Sequence, residues 1–172
     1  MDIQFTDEEV AFREEIQQFL RDELPDDWDP LSQGSPHSPE QLPFTKAMAD
    51  KLADKGWLTL AWPEEYGGQA RSIMEQTVYR EEMTYWGVPG TDLGTGAIGW
   101  VGPVLMISGT EEQKSEHLPP IANAERYWCT LYSEPGSGSD LASLQTSAVR
   151  DVDDYIVNEQ KIWTSSGHIA DW

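Results

Sequence analysis

The apolar period of this sequence changes near residue 122, and that change limits what the chain can fold into more than any other feature. Up to that point apolar residues recur every three to four positions. Beyond it, short runs of aromatic and β-branched residues alternate with acidic turns. A stripe at a period of 3.6 is buried by a helix, and a period of two is buried by a strand. Helices followed by strands, rather than alternating with them, give an α+β chain. The expectation is an all-α domain over residues 1–122, then an incomplete antiparallel β-domain over 123–172.

Thr6 and Glu9 form a capping box, followed by Phe12, Ile16, Phe19 and Leu20 on one face, and Pro25 predicts a stop near Leu24. Residues 25–43 hold five prolines and read as loop. A second helix is expected over Thr45–Lys55, carrying Phe44, Met48 and Leu52, with Gly56 as its C′ residue. WLTLAWPEEYGG is an apolar connector ending in a Gly-Gly turn. Ser72 and Glu75 open a third helix with Met74, Val78 and Tyr85 on one face, up to Trp86. A Gly-rich helix is expected over about 92–107, and a short one from Thr110, with Gln113 at its third position, that Pro119 and Pro120 end. Tyr127–Ser133 reads as strand-like, and 144–150, 154–158 and 161–167 as short strands. No segment repeats.

The hydrophobic share, 38%, is enough to bury a core in a chain of 172 residues. With 31 acidic and 11 basic side chains the formal charge is −20. Such a chain repels phosphate backbones and anionic lipid surfaces, so neither nucleic acid nor membrane is an expected partner. Three readings of the acid stand open: a solvated face, adaptation to a salty cytoplasm, or a docking surface for a basic partner. A single cysteine, Cys129, excludes a disulfide framework, and His37, His117 and His168 have no metal-ligand spacing. The acidic N-terminus resembles neither a signal nor a transit peptide, and no apolar run approaches membrane-span length. The expected location is cytoplasmic.

GTGAIG at 94–99 matches a dinucleotide fingerprint, but a helix end and a turn precede it where the fingerprint needs a strand. The alternative is a helix whose small residues let a neighbour or ligand come close.

YSEPGSGSDLAS, residues 132–143, is rich in turn formers yet follows a strand-like run with no linker. Small residues at a strand end free backbone N–H groups to form an anion nest, suited to a phosphate or pyrophosphate. Gly138 permits close approach, Ser139 adds a hydroxyl, and Asp140 caps the next turn. A tight surface turn with nothing bound is the other reading. Glu134, followed by Pro135, is expected to bind local backbone rather than act as a base.

Five ordered blocks resemble the acyl-CoA dehydrogenases, a family of flavoproteins. FTDEEVAFREEIQQFL resembles the family's opening helix, and GWLTLAWPEEYGG its connector. GTEEQKSEHLPPIANAE resembles the segment closing the helical domain. YSEPGSGSDLAS resembles the T/S-E-P-x-x-G-S-D signature, and NEQKIWTSSGHIADW a later strand segment. The resemblance implies FAD, an acyl-CoA substrate oxidised to a trans-2-enoyl-CoA, electron exit through a partner such as electron-transfer flavoprotein, and a homo- or hetero-oligomer. It places Thr130, Leu131, Tyr132 and Ser133 along the flavin edge, with the Ser133 hydroxyl near the ring. Gly138 and Ser139 would meet the pyrophosphate, Ser139 also the CoA side, and Trp163, Thr164 and Ser165 would continue the flavin wall.

The chain departs from the family pattern at Glu159, where glycine is usual, in the glycine-free RDVDDY turn, and at the bulky Tyr132. The family's catalytic glutamate lies downstream of the matched blocks, so no catalytic residue is assigned. Three readings follow: part of a longer enzyme, a half-subunit completed by another polypeptide, or a non-enzymatic binding or scaffold module.

Overall fold

A computed structural model describes residues 4–32, 34–93 and 96–172. Five α-helices precede a two-stranded antiparallel sheet: α1 (Asp7–Glu23), α2 (Leu42–Asp54), α3 (Ile73–Tyr85), α4 (Gly102–Ser108), α5 (Glu111–Ala122), β1 (Ser147–Asp151) and β2 (Asp154–Asn158). The expected order of an all-α part followed by β-structure holds. No helix among the described residues is long and apolar enough to cross a membrane.

Local chemistry sets the helix ends. Reciprocal capping boxes start α1 (Thr6, Glu9), α3 (Ser72, Glu75) and α5 (Thr110, Gln113). Helix α2 starts at Leu42, three residues before the sequence suggests, because Pro43 lies in its first turn, where no N–H is needed. Its end is a Schellman motif: Gly56 at φ +67° donates to Ala53, and Trp57 donates to Leu52.

Helix α5 runs through Pro119 and Pro120 to Ala122 instead of stopping at them. The carbonyls that the prolines leave without a donor belong to Ser115 and Glu116, both exposed, so water can satisfy them. The Gly-rich helix is shorter than expected. A π-type turn over Ala97–Val101 leads into α4, and Gly94 and Thr95, part of the GTGAIG match, lie outside the described residues. Residues 86–93 contain no strand, so the dinucleotide context is missing. Close approach at a glycine does occur: a Cβ on Gly102 would stand 2.0 Å from Trp62 Cζ2.

The core gathers around Trp57, which meets Phe12, Phe19 and Tyr79 edge-on. Ile16, Leu20, Met48, Leu52, Val78 and Ile121 fill the space around it. The 57–68 connector is core rather than linker, since Trp57, Leu58, Leu60 and Trp62 are all buried. On α3 the buried positions are Val78, Tyr79, Glu82 and Met83, whereas Tyr85 is 77% exposed. A carboxylate replaces the expected aromatic on this face because Arg13 and Gln17 of α1 reach across to Glu82.

Of the four strand-like runs, two form strands. In the hairpin, Ser147 faces Asn158 and Asp151 faces Asp154, and every residue is exposed. Val152, first in the glycine-free turn, is driven to φ +57°. Residues 127–133 and 161–167 are not strands. Their backbone groups meet scattered partners (Leu93, Trp172, Ser133, Thr164) and never a continuous ladder. No primed turn forms at Glu159, since neither Asn158 nor Glu159 has a positive φ.

Candidate functional site

The first candidate segment leaves the helical layer at Tyr127, which is buried. Burial, and then the carboxylates of Asp50, Asp92 and Asp171, push its phenol up to about 12. The Trp128 N–H donates to the Leu93 carbonyl, and the Tyr127 carbonyl accepts from Asp171 and Trp172. This anchoring carries Thr130, Leu131, Tyr132 and Ser133 outward, with Leu131 and Tyr132 exposed and Thr130 and Ser133 half-buried. Cys129 is half-buried rather than buried.

The second segment lies beside the first. The Ile162 N–H donates to the Ser133 carbonyl at 2.9 Å, bringing residues 130–133 and 163–165 together. Trp163 is 86% exposed and held at φ +58°, a strained backbone for a bulky residue that packs on little. Thr164 is half-buried and Ser165 exposed. His168 is exposed, and its Nε2–H donates to the His37 carbonyl at 3.1 Å.

The loop between them is tightly built around Glu134, a residue only 7% exposed. Its carboxylate accepts from the N–H of Gln145 (2.7 Å), the N–H of Thr146 (3.0 Å), the Thr146 hydroxyl and Lys161 Nζ (3.0 Å). The Thr146 hydroxyl first, then the Gln145 amide and Lys161, hold this carboxyl at about 2, against the opposing effect of burial. As the sequence suggests, Glu134 binds local backbone. Lys161 and Thr146, which complete the arrangement, escaped the sequence reading. Lys161 lies 27 positions away in what reads as ordinary strand, so no local pattern marks it.

Around this anchor, Glu134 and Ser137 exchange backbone hydrogen bonds, and the Ser137 and Ser143 hydroxyls both donate to the Asp140 carbonyl. The N–H groups of Gly136, Gly138, Ser139 and Asp140 have no acceptor among the described residues. A Cβ on Gly136 or Gly138 would meet nothing within 4 Å, and neither glycine has a positive φ. The fold does not itself require glycine there, so the open space suits a ligand that approaches the backbone closely. A cleft of about 480 Å³ opens beside the loop, lined by Glu134, Pro135, Gly136, Gln145, Thr146 and Glu159. The residues present fit an anionic cofactor: free N–H groups in the loop, and an exposed indole across the seam. No group of three or more metal-ligating side chains occurs among the described residues.

The models of the acyl-CoA dehydrogenase N-terminal domain and middle domain match residues 6–125 and 129–172. The chain belongs to the acyl-CoA dehydrogenase family. Acyl-CoA dehydrogenase FadE26 of Mycobacterium tuberculosis is 48% identical over 122 residues, 71% of this chain and 30% of the relative. The ChsE4–ChsE5 complex of the same organism contains a chain with TM-score 0.81 and 38% identity, covering 99% of this chain and 42% of that one. The Tcur3481–Tcur3483 steroid ACAD gives TM-score 0.80 and 36% identity, covering 99% of this chain and 43% of that one. The chain thus spans less than half the length of the relatives it matches. Within this family segment, the 132–143 loop begins where the 130–133 and 161–165 segments meet, at the Ser133–Ile162 hydrogen bond.

Proposed function

We propose that this chain supplies the helical domain (residues 1–122) and the opening of the middle β-domain (123–172) of a flavin-dependent, cytoplasmic acyl-CoA dehydrogenase. FAD, when bound, supplies the acceptor for the hydride leaving Cβ of the acyl thioester. Thr130 to Ser133 line the flavin edge, with the Ser133 hydroxyl toward the ring. Trp163, Thr164 and Ser165 continue the wall. Gly138 and Ser139 offer backbone N–H groups to the pyrophosphate, and Ser139 extends toward the CoA side.

The observation that carries this reading is the seam between Ser133 and Ile162, which brings two distant segments beside the open Gly136–Asp140 backbone. No carboxylate in this region is assigned as the α-proton base. Both oxygens of Glu134 are occupied by donors, and its depressed pKa makes it a poor proton acceptor. The substrate reading is an acyl-CoA, with a steroid-bearing acyl group suggested by the likeness to a steroid ACAD. The likeness to two two-component complexes favours a hetero-oligomer, and electron-transfer flavoprotein is the proposed electron acceptor.

The test is the visible spectrum of the purified chain after incubation with FAD and desalting. Retained, perturbed flavin bands support the cofactor edge. A compact, cooperatively folding chain that retains no flavin supports the scaffold reading instead. Turnover of an acyl-CoA by these residues alone would overturn the assignment of no catalytic base.

A further inference from the structure

The backbone bond between the candidate flavin segments, Ile162 N–H to the Ser133 carbonyl, is flanked on both segments by members of one charged cluster. Glu134 follows Ser133, and Lys161 precedes Ile162. The two side chains meet at 3.0 Å, each with only 7–8% of its side chain exposed. Lys161 Nζ also reaches the Tyr132 carbonyl at 3.3 Å and stands 3.8 Å from Glu159. The same carboxylate holds the N–H groups of Gln145 and Thr146, where the chain enters β1. Three stretches far apart in sequence therefore converge on one carboxylate: the signature loop, the entry to β1 and the exit from β2. The hairpin between the last two is exposed throughout and packs on no second layer, so hydrophobic burial does not hold them in place.

We propose that Glu134 is a positioning residue: with Lys161 it clamps the 130–133 and 163–165 segments into one continuous surface and so sets the geometry offered to the flavin. The proposal rests on the flavin-edge reading above. A carboxylate suits this role because it accepts several hydrogen bonds at once while neutralising a buried ammonium. An amide at the same position accepts through one oxygen only and leaves the longer contact with Glu159 as the charge facing Lys161.

The test uses the full 172-residue chain in three forms: wild type, Glu134→Gln and Lys161→Met. Hydrogen exchange at the Ile162, Gln145 and Thr146 amides, measured without FAD, reads the clamp directly. Flavin fluorescence titrated with FAD then gives Kd. The expected result is exchange about tenfold faster at Ile162 in both variants, the equivalent of one hydrogen bond. Exchange at Leu52 and Ile121, in the helical core, stays unchanged. Kd for FAD rises about tenfold, as expected when preorganisation of a site is lost. Unchanged protection of Ile162 in both variants overturns the proposal. So does equal acceleration of the core amides, which marks a merely structural role, and so does faster exchange at Ile162 with Kd unchanged. A wild-type chain that retains no FAD fails the flavin-edge reading. The seam is then judged by exchange alone, where acceleration confined to it supports the clamp and its absence overturns it.

Discussion

Two residues in the β-region show how single side chains pull local structure in opposite directions. The folded pKa of Glu134, about 2, lies below the 4.5 of an ordinary glutamate. The contribution of its clamp is therefore complete above about pH 4.5 and disappears as pH falls toward 2. Protection of the Gln145 and Thr146 amides, taken relative to the intrinsic exchange rate at each pH, should fall across that window in the wild type, and the step should be missing in Glu134→Gln. Val152 is the reverse case, a β-branched residue at φ +57° in a turn that favours glycine or asparagine. Val152→Asn should stabilise the hairpin by about 1 kcal/mol. The measurement is exchange protection of the Ile156 and Val157 amides, because an exposed hairpin opens locally without global unfolding.

At the level of elements, the helical layer is held by close backbone approaches as much as by apolar stripes. Helix α4 begins at Gly102, packed directly on the Trp62 indole, whose Nε1–H donates to the Ile98 carbonyl at 3.1 Å. Gly102→Ala would drive a methyl into a ring that is 4% exposed and cannot swing out. The expected cost is about 2 kcal/mol, read as a lower melting temperature with a shifted tryptophan emission. The π-type turn before α4 is set in the same place, with Val101 N–H donating to the Gly96 carbonyl. Helix α5 carries the lesson in the other direction. Its two prolines read as a stop, and the helix continues because the carbonyls they orphan face water.

At the scale of the whole molecule, charge is the dominant unbalanced term. A formal charge of −20 over 172 residues places like charges within a Debye length of one another across the surface. Paired acids such as Glu82, Glu75 and Glu134 account for few of them. Raising sodium chloride from 10 mM to about 0.5 M should therefore raise the melting temperature by screening self-repulsion, followed by circular dichroism at 222 nm. A fall with salt would mean that the few ion pairs outweigh the surplus acid.

The sequence by itself determined the order of the chain. Its change of period separates helices from strands, its S/T-x-x-E/Q boxes fix three helix starts to the residue, and its ordered motifs carry the family. These are local signals, legible because capping and amphipathic burial act within a few turns of chain. The candidate site was legible as segments: 130–133, 138–139 and 163–165 are each marked by composition or by resemblance. What joins them was not legible. Only tertiary structure set Ser133 against Ile162, gave Glu134 the Lys161 counter-charge, and buried Glu82 on the face where Tyr85 was expected. Each of these depends on partners at least 27 positions apart in the chain. Only tertiary structure, too, left 127–133 and 161–167 out of the sheet, since a strand exists where a neighbour supplies its hydrogen bonds and propensity alone supplies none.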